Sequence, residues 1–178
     1  MTKYLTYSEV SGIIVKMIKM ALPDVPNKHI YWYMDYDATQ ISPQNKDVVV
    51  VLGISPTGPS GLVTTVHTDT VVPNNMYERD IYYRHQADLV VYLIGKNALS
   101  YYYQLEPAIH TSTISQYILS SGMGIVAADD GIKDLTILKE TINLPIISKL
   151  YKINWTEKVA DKYNIITSVV ETDIDEIV

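Results

Sequence analysis

The sequence predicts an α+β fold: a mixed, mainly antiparallel β-sheet packed with two main helices and carrying a projecting β-hairpin, in a single domain spanning residues 1–178. Three observations carry this reading. One apolar stripe near the start has the period of a helix, several β-prone runs are bounded by Pro, Gly and Asn, and one long run changes character halfway along. A chain of 178 residues is long enough to bury a sizeable core as one unit.

Thr6 and Glu9 stand just ahead of Val10, Ile13, Ile14, Met17, Ile18 and Ala21, which predicts a capping box opening an amphipathic helix that ends at Pro23. Its stripe packs on the sheet, while Glu9, Lys16 and Lys19 face outward. Residues 29–35 are aromatic and β-prone and predict a first strand. Residues 47–55 predict a second, whose valines at 48–51 call for cover on both faces. The stretch Pro56-Thr57-Gly58-Pro59-Ser60-Gly61 predicts a turn, residues 63–72 a third strand, and Pro73-Asn74-Asn75 its end. Residues 80–95 form the fourth strand. One face carries Ile81, Tyr83, His85, Ala87, Leu89, Val91 and Leu93; the other carries Tyr82, Arg84, Gln86, Asp88, Val90, Tyr92 and Ile94. The second face is polar first and apolar afterwards, so only the half from Leu89 to Ile94 belongs in a two-sided core and the first half projects. With residues 63–72 it builds an extended arm, about residues 53–84, that cannot offset its ordering entropy alone and needs a neighbour.

A second helical stretch begins at Asn97 and ends before Gly122, with Pro107 kinking it or opening a second helix. Residues 124–127 predict a short strand, Asp129-Asp130-Gly131 a turn, and Lys133-Asp134-Leu135-Thr136 a one-turn segment. Residues 142–155 read as a long strand with Ile147, Tyr151, Ile153 and Trp155 on one face, interrupted by Lys149. A charged hairpin at 156–162 returns the chain as a strand over 163–170, and the acidic tail 171–178 frays.

Composition narrows the function. The balance of 14 Lys+Arg against 20 Asp+Glu gives a formal charge of −6, which argues against binding by phosphate neutralisation. With no cysteine there is no disulfide, thiolate metal site or cysteine nucleophile. The 15 Tyr and 2 Trp beside no Phe supply large contact area with polar tips that can meet water or a partner, and compositional drift in an AT-rich genome accounts for the same bias equally well. Met1-Thr2-Lys3-Tyr4 opens no secretory signal, and the apolar runs fall short of the roughly 20 residues that span a bilayer, so a cytosolic setting and no membrane are expected.

No constellation specifies a reaction, and neither catalytic residues, cofactor nor metal is expected. The glycines at 53–61 lack Gly-Lys-Ser/Thr and lead into a strand, and Ser60 is out of register for a nucleophile elbow. His67 and Asp69 share a strand face but make too few ligands; a small metal enzyme built on them and His85 is the rival reading. His85 itself reads as a satisfied core or interface histidine, and His29 and His110 are isolated. Asp35 with Asp37, and Asp129 with Asp130, read as strand-end and turn polarity. The residues expected to make contacts are Pro56, Pro59, Val66, His67, Asp69, Val71, Tyr77, Tyr82 and Arg84.

The order of elements resembles the tailed-bacteriophage neck and tail terminator family. Ala87 to Ala98 is similar to its central strand running through a Gly-x-Asn-Ala turn, here Gly95-Lys96-Asn97-Ala98, into the second helix. Gly131 to Thr136 and residues 142–170 are similar to its closing segment, although Leu144 to Lys149 replace the family's Glu-Arg pair. The resemblance implies a structural, non-enzymatic virion protein that forms a ring, typically a hexamer, on the tail tube and joins the tail to the head-completion and portal complex. Its implied partners are further copies of itself, the tail tube protein and a head-completion or connector protein, with genomic DNA passing through the lumen without specific binding. Its implied location is the virion neck, and the host cytoplasm during assembly. A neighbouring neck adaptor and a nonviral oligomeric module stay open at this point.

Overall fold

The computed structural model describes residues 3–36, 47–59, 64–72, 76–139 and 142–164. Helix α1 (Tyr7–Ala21) opens on the capping box: Glu9 N donates to Thr6 Oγ1 at 3.3 Å, and Thr6 N donates to Glu9 Oε2 at 2.8 Å. The whole stripe from Val10 to Ala21 is buried, and Leu22 caps the helix just before Pro23.

Strand β1 (Ile30–Trp32) is shorter than the 29–35 expected, because 3-10 turns at Asn27–His29 and Tyr33–Asp35 consume both ends. It lies parallel to β2 (Val49–Pro59). Val48 to Val51 are all buried, as cover on both faces requires: Val50 enters the main core and Val49 and Val51 a smaller cluster behind the sheet. Strand β2 runs on through Pro56 to Pro59, where a turn was expected, with a bulge between those prolines. Strands β3 (Thr64–Val72) and β4 (Met76–Ile94) pair antiparallel, and β4 begins earlier than residue 80.

Two helices, α2 (Ala98–Ile109) and α3 (Ser112–Ser120), replace the single second helix. Pro107 sits in the last turn of α2, and the break falls after it at His110 and Thr111. Gly122, at φ +86°, takes the left-handed position that ends α3. The Gly95 turn is similarly constrained: its φ is +142°, Ala98 N donates to its carbonyl at 3.1 Å, and a Cβ would stand 2.7 Å from Asp47 O.

Strand β5 (Met123–Asp134) is longer than 124–127, carrying Asp129 to Gly131 as an irregularity between Ala127 and Ile132. The following segment is not helical: Asp134 Oδ1 accepts from Thr136 N at 2.9 Å and from Thr136 Oγ1, closing a side-chain turn. Strands β6 (Ile137–Lys139) and β7 (Ile142–Leu144) form a small separate pair. Strand β8 (Ile146–Asn164) then overturns the hairpin expected at 156–162, since it runs 19 residues without interruption, antiparallel to β4 from end to end. The acidic tail and residues 165–170 lie outside the described residues.

The main sheet is ordered β1-β2-β4-β8-β5, with β3 also on β4. All three helices pack on one face, where Leu52, Leu89, Leu93, Met123, Tyr151 and Trp155 join the α1 stripe in the core. Lys149 lies on this buried face, with Nζ 3.6 Å from Glu106 Oε1 on α2. Tyr151 donates to the other oxygen of that carboxylate at 2.9 Å. Burial, then the Glu106 carboxylate, pushes the Tyr151 phenol far above the usual tyrosine range.

Candidate interaction surface: a three-stranded arm

The arm predicted at residues 53–84 exists, but three strands build it. Strand β2 leaves the edge of β4 at Pro59, opposite His85, and β3 takes over that edge from Tyr82 to Met76. On the other edge β8 accompanies the same residues, from Lys158 opposite Tyr82 to Asn164 opposite Met76. The neighbour that the arm needed is therefore partly its own closing strand. The hairpin gains a ladder of backbone hydrogen bonds along its full length.

The backbone positions of the predicted contact residues fall together along this arm. Pro56 and Pro59 mark the handover between strands, Val66, His67, Asp69 and Val71 lie on β3, and Tyr77, Tyr82 and Arg84 lie on β4. Tyr82 packs on Tyr4, with ring centroids 5.0 Å apart, and donates to Asp80 Oδ2 at 3.5 Å. Arg84 is exposed. Lys158, across from Tyr82, places Nζ 2.8 Å from Asp80 Oδ2, and that bond holds its ammonium above the usual lysine range. The side chains of residues 64–72 and 76–79 lie outside the described ones.

His85 is half-buried and its ring has partners within the chain, as the satisfied histidine of the sequence reading requires. Its ring stacks on Trp155 at 4.9 Å, and Nε2 lies 2.9 Å from Glu157 Oε2. Register separates it from the other members of the metal reading. His67 pairs with Arg79, so His85 lies six residues farther along β4, roughly 20 Å at the rise of a strand. One ion cannot bridge that gap. Asp69 falls in the register irregularity between Thr68 and Val71. Among the described residues no group of three or more His, Cys, Asp or Glu converges on a metal-sized site. Asp35 stands at the end of an exposed turn, Asp37 is outside the described residues, and His110 stands 4.0 Å from Glu106.

A polar concavity of about 310 Å³ lies beside the base of the arm, lined by Thr57, Gln86, Asp88, Lys152 and Asn154. The Oδ1 atom of Asp88 is buried and accepts no hydrogen bond among the described residues. Sequence reasoning passed over the β8 half of this surface, namely Glu157, Lys158 and the residues to Asn164, by breaking the strand at Thr156. The signal was available: residues 156–162 contain no Gly, Pro or Asn to make a turn.

No helix among the described residues is long and apolar enough to cross a membrane. Compared with known proteins, the chain matches no protein-family model and no curated protein.

Proposed function

We propose that this chain is a structural, non-enzymatic protein of the tailed-phage neck, whose copies form a ring, six in the expected form, that closes the tail tube and joins it to head-completion proteins at the portal. The arm carries this reading. A three-stranded sheet that runs on beyond the end of β2 presents a long paired backbone surface, and repeated heterologous contact around an axis uses such a surface. The acidic balance fits a lumen through which DNA slides without adhering. The protein would act in the virion neck after assembly in the host cytoplasm.

The test is the mass of the purified protein by light scattering across a concentration series, alone and with the tail tube protein of the same phage. A ring, or a monomer that becomes one on tube ends, is the expected result. A monomer indifferent to the tube would remove this reading.

A further inference from the structure

The arm ends in two long strand edges that no strand among the described residues covers. One is the outer edge of β3. The other is β8 past Thr156. Strand β5 leaves β8 at Trp155, opposite Met123, and Leu5 N then donates to Thr156 O at 2.8 Å on the same side. Outward-facing backbone groups recur every second residue, so the next ones belong to Lys158, Ala160, Lys162 and Asn164. Strand edges of this length are templates for further pairing, and proteins blunt them with proline or projecting lysine. Neither 64–72 nor 156–164 contains a proline, and of the two lysines on the β8 edge, Lys158 and Lys162, the first has its ammonium drawn onto Asp80 of its own sheet.

We propose that the outer edge of β8 in one copy pairs in parallel with the outer edge of β3 in the next, joining the arms into one sheet around the ring. This deepens the ring reading and rests on it. The occupant is a second copy because one arm supplies both halves of the joint. The two edges flank the same residues of β4, Met76 to Tyr82, and so match in length and in height. The direction follows from topology. Strands β3 and β8 are each antiparallel to β4 and hence parallel to one another. Rotation about an axis running along the arms preserves strand direction, so β8 meets a parallel β3. A two-fold dimer would instead pair β8 with β8 antiparallel and stop at two copies.

The absence of native cysteine makes disulfide mapping unambiguous. Within one copy β3 and β8 are separated by β4, roughly 9–10 Å apart, beyond the reach of a disulfide, so any β3–β8 link joins two copies. Cysteines would be placed singly at Lys158, Ala160 or Lys162 and combined with single cysteines from Thr64 to Thr68. The expected result is a ladder of covalent species beyond dimer, with the best β3 partner moving toward Thr68 as the β8 site moves toward Lys162. The opposite drift, or trapping by Ala160→Cys alone of dimers only, overturns the parallel joint. A ring by light scattering with no β3–β8 link at any pair overturns it while leaving the ring. A monomer under every condition, tube ends included, overturns the ring and the joint with it. As a second measure, Ala160→Pro removes an outward N–H and spares the β4 ladder. Its urea midpoint should match the parent while association weakens at least tenfold; unweakened association overturns the proposal.

Discussion

Glu106 is the residue on which the helix layer and the sheet meet electrostatically. It receives the Tyr151 hydroxyl and faces Lys149, whose side chain is only 8% exposed. Removing the carboxylate strands a buried ammonium, whereas removing both charges leaves no unpaired ion. Glu106→Gln should therefore cost about 2–3 kcal/mol, below a fully enclosed pair because Glu106 keeps some solvent, and adding Lys149→Met should recover most of the loss. Urea melts of the two single variants and the double variant measure this directly. Glu9 gives a pH-dependent counterpart. Hydrogen bonds from Thr6 N and then Thr6 Oγ1 hold its carboxyl below the usual range. A lowered folded value means the contribution is complete above the unfolded carboxylate range and is lost as pH falls through the folded value. Thermal melts of Glu9→Gln should accordingly decline less steeply than the parent below about pH 5. Gly95→Ala should cost about 2–3 kcal/mol, because the left-handed backbone and the nearby Asp47 carbonyl leave no place for a Cβ.

At the scale of elements, the arm is separable from the core. Among the described residues, the buried core lies on α1 with Leu5, Leu22 and Val25 flanking it, on α2, α3 and β5, on the first half of β2 with Val48 just before it, on the second half of β4 and on the first half of β8, while Pro56 and Thr57, where the arm begins, are exposed. Replacing residues 56–75 with a short turn should leave a folded protein with native far-UV and near-UV dichroism, since β8 still covers one edge of β4. Assembly into rings should be lost. A variant that still assembles would remove β3 from the interface. The same logic explains why β4 and β8 are both 19 residues long: their inner halves are held by side-chain burial, and their outer halves by backbone pairing with each other.

At the scale of the molecule, each copy brings a formal charge of −6 to any assembly. Like charge opposes gathering copies around an axis, and salt screens it over about 10 Å at 0.1 M. A joint made by backbone pairing should therefore strengthen with ionic strength. Sedimentation velocity should show a larger ring fraction at about 0.3 M than at about 0.01 M salt; the reverse trend would assign the contact to cross-copy ion pairs.

The sequence by itself determined α1 with its cap and buried face, the two-sided burial of the valine run, the Gly122 turn, and the change along β4 from projecting to buried. Each of these follows from neighbours close in the chain, through helical period, strand alternation or a backbone angle that glycine tolerates. Only the tertiary structure decided that β2 runs on through Pro56, that β8 pairs with β4 along its whole length, and that Lys149 is buried. Those outcomes depend on partners far away in sequence. Strand β8 stays extended because β4 offers it nineteen residues of unshifted register, and Lys149 is buried because Glu106 waits on a helix that forms 43 positions earlier.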